Sequence, residues 1–119
     1  MATILCVDDE PHVVALEVAI LEAAGYDTDK AFSTHEGIEL LEQHTYDLVI
    51  TGWHNVDATG ADVIKRAKEK GLPVMVISGY AGEARDQADP AADLYMEKPM
   101  NPEEMVVLVE KLLQSRSAT

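Results

Sequence analysis

Short apolar runs recur along the chain, and the stretches between them carry hydrophobic residues at helical rather than alternating spacing. "TILCV" (3–7), "YDLVIT" (46–51), "PVMVIS" (73–78) and "LYME" (94–97) are apolar or β-branched with little alternation, the pattern of strands buried on both faces. "YDTDKAF" (26–32) is a shorter, more polar strand and belongs near a sheet edge. From Pro11 to about Ala24, Val13, Leu16, Ile20 and Ala23 repeat at helical spacing with Glu17 and Glu22 elsewhere, and Gly25 follows as a C-terminal cap. Ser33 and Glu36 have capping-box spacing and open a second helix to about Gln43, with Ile38 and Leu41 on its apolar stripe.

"GADVIKRAKEK" (60–70) is a third helix, closed by Gly71 with Pro73 beyond it. The segment after the fourth strand carries only a weak helical signal, around Glu83 to Gln87 before Pro90, and predicts a short or irregular element. Asn101 caps a last helix that has Pro102 at its first position and Met105, Leu108 and Leu112 inward, and "QSRSAT" (114–119) predicts a frayed tail. Strand and helix alternate five times with short connections, so residues 1–119 read as one α/β domain, a doubly wound parallel sheet with helices on both faces.

Composition narrows the partners. A net charge of -13 excludes nucleic acid and anionic lipid as direct partners, because neither meets clustered Lys or Arg here. No apolar run approaches the roughly 18 residues of a spanning helix and the N-terminus lacks the features of a signal peptide, so the cytoplasm is the expected location. Cys6, the single cysteine, sits inside an apolar run as a buried thiol.

In open parallel sheets the ligand site lies beyond the carboxyl ends of the strands. The residues there are Asp8 and Asp9 after the first strand, Gly52 after the third, Ser78 closing the fourth and Lys98 after the fifth. Adjacent carboxylates suit a hard divalent cation, and an ammonium with a hydroxyl suits the oxygens of a phosphoryl group. Alone, each has an ordinary explanation: a charge complement for a helix, a turn hydroxyl, a solvated lysine.

Together and in this order, "ILCVDDEP", "DLVIT" with Gly60 in the following loop, "VMVISGYA" and "LYMEKP" resemble the receiver domain of bacterial two-component response regulators over nearly the whole chain. The resemblance implies a flavodoxin-like strand order of 2-1-3-4-5. It implies that Asp8 and Asp9 form the acidic pair with Asp9 the direct Mg2+ ligand, that the backbone carbonyl of His54 is a further ligand, and that Ser78 is the switch hydroxyl. Tyr95 would then be the aromatic coupled to Ser78, Lys98 the phosphate-binding lysine, and Pro99 would follow a cis peptide bond. It implies a non-enzymatic signalling module working in a phosphorelay with a sensor histidine kinase, hybrid kinase or downstream regulator, as a monomer or weak homodimer. The family's usual output face would hold Tyr80, Tyr95, Met100 and Met105, most of them core rather than contact.

The chain departs from that pattern at the phospho-accepting aspartate, which is Gly52, and at the following Met-Pro, which is Asn55-Val56. Glycine offers no nucleophilic oxygen. It also changes the pocket's formal side-chain charge from -2, for three aspartates and one lysine, to -1, so Mg2+ is expected to bind more weakly. Nor does glycine mimic the phosphorylated state, which adds negative charge. The second departure favours natural divergence over one introduced change. The expectation is an atypical receiver, not phosphorylated at the usual position and acting by protein contact. The alternatives are Asp57 folding back as a surrogate acceptor, a transition-metal site of His12 and His54 with Asp8 and Asp9, a free anion on Ser78 and Lys98, and a glycine kept at position 52 only for a tight turn or close backbone approach.

Overall fold

The computed structural model describes residues 2–117, with side chains described as far as residue 115. Ten elements alternate: β1 (Thr3–Val7), α1 (Pro11–Ala23), β2 (Asp27–Ala31), α2 (Thr34–Gln43), β3 (Leu48–Thr51), α3 (Ala61–Glu69), β4 (Val74–Ser78), α4 (Ala81–Gln87), β5 (Leu94–Glu97) and α5 (Pro102–Ser117). The strands form one parallel sheet in the order β2-β1-β3-β4-β5, so the polar β2 lies at an edge as its composition predicts.

Alternate residues of each buried strand face opposite ways, and the core divides accordingly. Leu5, Val7, Val49, Val74 and Val76 pack with α2 and α3, joined by Trp53 and Ala84. Ile4, Cys6, Ile50, Met75 and Ile77 pack with Val14, Val18 and Leu21 of α1 and Met105 and Val109 of α5. Burial raises the Cys6 thiol pKa far above its ordinary value and leaves it inert.

The helix ends follow their sequence signals. Gly25 and Gly71 adopt φ of 95° and 75°, the left-handed conformation that ends α1 and α3 at little cost for glycine. The Ser33 hydroxyl accepts from the Glu36 amide at 3.0 Å, while the Glu36 carboxylate reaches one residue further out, to the Phe32 amide at 2.6 Å. Asn101 caps α5 by accepting from the Glu104 amide at 3.1 Å. The Lys98–Pro99 bond is cis, as the resemblance implies, and so is Asp89–Pro90.

Two readings need correction. Val13 is buried as expected, but the rest of the inward face of α1 is Val14, Glu17, Val18 and Leu21; Leu16 is 48% exposed and Ala23 is exposed. The helix is apolar nearly all round, so spacing alone did not distinguish its two faces. α5 also continues through Ser117, so residues 114–117 are helical rather than frayed; Ala118 and Thr119 lie outside the described residues. The weakly signalled segment forms the seven-residue α4.

Candidate functional site

The sheet register assembles the site. Val7 pairs with Thr51 and the Gly52 amide donates to the Val7 carbonyl at 2.8 Å, which sets Asp8 beside Gly52 at the ends of the two central strands. Ser78 pairs with Glu97, and the Lys98 amide donates to the Ser78 carbonyl at 3.1 Å, bringing the lysine across β4. Asp8, Glu10, Gly52, His54, Ser78 and Lys98 line a cavity of about 130 Å³ at this end of the sheet, with Trp53 and Tyr80 on its wall.

Its electrostatics centre on one ammonium. Lys98 Nζ donates to Asp8 Oδ2 at 3.1 Å and to Glu10 Oε1 at 3.2 Å. The other oxygen of Asp8 accepts from the Glu10 amide at 3.0 Å. Burial penalises the Asp8 carboxylate and raises its pKa, more than the Glu10 amide and Lys98 lower it. Burial also disfavours the Lys98 ammonium, but Asp8 and Glu10 outweigh it and hold its pKa above the ordinary value.

Glu10 was missed in the sequence, although it directly follows the acidic pair. Counted with Asp8, Asp9 and Lys98 it makes the formal charge of the site -2, where an aspartate at position 52 would make it -3. Glu17 was missed as well: it is 1% exposed, its Oε1 has no hydrogen-bond partner among the described residues, and burial, reinforced by the charge of Asp8, pushes its pKa up to about 8.

Oxygens of Asp8, Asp9 and Glu10 lie within 4.8 Å of one another, a set of hard donors that fits a divalent cation such as Mg2+. No histidine joins it among the described residues. His12 approaches Glu10 at 3.4 Å, and His54 Nε2 is 2.9 Å from Glu83 on α4, with the Tyr80 ring edge-on at 4.6 Å. The transition-metal arrangement is therefore not assembled.

The backbone at Gly52 does not require glycine, since its φ is not positive. A Cβ built there would meet Asp8 Oδ2 at 2.8 Å, Asn55 Oδ1 at 3.1 Å and Asp8 Cγ at 3.3 Å. All three are side-chain atoms, and the Asp8 carboxylate leans into the place an aspartate would take. The close backbone approach belongs instead to Gly60, whose Cβ would collide with the Gly52 carbonyl.

Ser78 and Tyr95 are not bonded to each other. Ser78 Oγ accepts from the Tyr80 amide at 3.0 Å, and Tyr95 Oη accepts from the Ala92 amide at 2.9 Å with the Arg85 guanidinium 5.3 Å from its ring centroid. On the surrounding face Tyr80 is 59% exposed, Tyr95 and Met100 are half-buried, and Met105 is core. Asp57 caps α2 from outside: its two oxygens accept from the Thr34 and His35 amides, each at 2.9 Å. The His35 amide chiefly, with that of Thr34, lowers its pKa. No helix among the described residues is long and apolar enough to cross a membrane.

The profile of the "Response regulator receiver domain" family matches residues 4–110. ResD, a transcriptional regulatory protein of Bacillus subtilis, is 32% identical over 119 residues, covering 98% of this chain and 50% of ResD. DltR of Streptococcus agalactiae is 31% identical over 89% of this chain and 49% of its own length, so the chain spans about half of these relatives. Among solved structures, the response regulator protein TrrA of Thermotoga maritima in complex with Mg2+ and BeF superposes with a TM-score of 0.86 at 32% identity, covering 94% of this chain and 99% of TrrA. A receiver domain protein of Methanospirillum hungatei superposes with a TM-score of 0.92 at 25% identity, over 99% and 98% of the two chains. Motifs, strand order, the pocket at the strand ends and these likenesses agree: the chain belongs to the response regulator receiver domain family.

Proposed function

We propose that this receiver signals by protein contact without aspartyl phosphorylation. The observation that carries the reading is Gly52: the end of β3, where the family's acceptor stands, has no side-chain oxygen, and the Asp8 carboxylate lies against that place while bound to Lys98. In-line attack on a phosphoryl donor needs a nucleophile held in register with the metal and the lysine, and none of the remaining oxygens meets that need. Asp57 is engaged on both oxygens by α2 amides, which supports its role as a cap rather than a surrogate acceptor.

Asp9, the backbone carbonyl of His54 and the neighbouring carboxylate of Asp8 would hold Mg2+, more weakly than in a receiver that keeps its aspartate. Bound there, the ion would neutralise the carboxylates. Ser78 and Tyr95 then keep the positions their own bonds set, on the Tyr80 and Ala92 amides. The output is a fixed α4–β5–α5 surface offered to a kinase or downstream regulator.

Incubation with Mg2+ and a small-molecule phosphodonor such as acetyl phosphate, followed by intact mass measurement, tests this. The expected result is no mass gain. A hydroxylamine-sensitive phosphoryl adduct that disappears on Asp57→Asn would contradict it.

A further inference from the structure

The two departures from the family pattern, Gly52 and Asn55, meet in space. Asn55 Oδ1 and Asp8 Oδ2 both lie about 3 Å from the point where a Cβ at position 52 would stand. Asn55 Oδ1 is buried and has no hydrogen-bond donor among the described residues. A buried carbonyl oxygen left in that condition is costly, so it calls for a partner.

The orientation of this amide is fixed by its neighbours. Asn55 Nδ2 is 2.9 Å from Thr34 Oγ1. The one hydrogen of that hydroxyl goes to the Thr59 carbonyl at 3.0 Å, so Thr34 Oγ1 accepts from Asn55 and the NH2 group must face it. The carbonyl oxygen is thereby turned toward Gly52 and Asp8. Thr34 is itself buried, and the same loop is pinned to α2 through Asp57, so the amide sits on a rigid support.

We propose that Asn55 is a cation ligand. Its amide oxygen, with the Asp8 and Asp9 carboxylates, supplies a hard divalent cation with the oxygen that Gly52 cannot give. The chemistry is consistent, because Mg2+, Mn2+ and Ca2+ accept neutral amide oxygens beside carboxylates. The exchange replaces a charged ligand by a neutral one. It therefore retains a cation site in a pocket without a nucleophile, and it accounts for the two sequence departures together. The inference rests on the reading that Gly52 leaves the pocket without its acceptor, but it is tested separately: a phosphoryl adduct would overturn that reading and leave the cation result standing.

Mn2+ is the probe, followed by nuclear magnetic resonance of the 15N-labelled protein. Asn55 and Asn101 are the only asparagines, so the side-chain amide of Asn101, on the far side of Pro99, serves as the control. The expected result is that substoichiometric Mn2+ broadens the Asn55 side-chain pair before that of Asn101. Trp53 fluorescence, from a residue on the cavity wall, should then give about tenfold weaker Mn2+ binding for Asn55→Met and tighter binding for Asn55→Asp, in line with ligand number and charge. An Asn55 pair that stays sharp at saturating Mn2+, or an Asn55→Met protein that binds Mn2+ like the parent, would overturn the proposal and assign the amide oxygen to a buried water. If Asn55→Met fails to fold, Asn55→Ala in the same fluorescence titration decides.

Discussion

Asp8, which follows β1, and Glu17, in the middle of α1, behave differently from what their letters suggest. Asp8, one of a pair of acids, is buried and tied to Lys98, while Glu17, one of many acids, occupies a core position of α1 where an apolar side chain would bury more favourably. The consequence for stability has a definite sign. The folded-state pKa of Glu17 is raised from 4.5 to about 8, so its contribution is fully present below 4.5 and is lost as pH rises toward 8. Glu17→Leu should therefore raise stability at pH 9 by about 2 kcal/mol or more, with a much smaller gain near pH 5. Urea unfolding of both proteins at the two pH values measures this. An equal gain at both would show that Glu17 is ionised throughout and that only packing changed.

At the scale of elements, legibility followed how strongly each pattern was overdetermined. β1, β3 and β4 are continuous apolar runs, so the strands and the residues at their ends were readable from the pattern, while their order came only with the resemblance to receivers. α1 was misread on its faces since Leu16, Ala19, Ile20 and Ala23 form a stripe as apolar as the true inner one. Side-chain direction in loops was not legible at all. Asp57 is an example: nothing in "HNVDATG" says that its carboxylate turns to the α2 amides, a contact between residues far apart in sequence. Asp57→Ala should cost about 1 kcal/mol, as loss of a helix cap does, and speed hydrogen exchange at the Thr34 and His35 amides. Unchanged exchange at those two amides would contradict the capping role.

Over the whole molecule, the sheet carries α1 and α5 on one face and α2 and α3 on the other, and the pocket sits where both layers end. On the proposed reading, with no acceptor at the end of β3, no phosphoryl group would draw Ser78 from the Tyr80 amide or Tyr95 from the Ala92 amide, and the α4–β5–α5 surface would stay in one state. The His54–Glu83 contact, at 2.9 Å, ties the β3–α3 loop to α4 in that state. The family and fold were readable from the motifs. The arrangement of Asp8, Glu10 and Asn55 around Gly52 was not, because it depends on where side chains settle against one another.

The most direct test adds beryllofluoride, which imitates a phosphoryl group on an aspartate, with Mg2+, while backbone amide resonances of Ser78, Tyr95 and Lys98 are followed. Gly52→Asp, which restores the carboxylate by displacing Asp8, serves as the responsive control. The account predicts that beryllofluoride leaves these three resonances of the parent where Mg2+ alone put them and shifts them in Gly52→Asp. Saturable shifts in the parent protein would mean that another oxygen accepts the phosphoryl analogue and that the domain still switches.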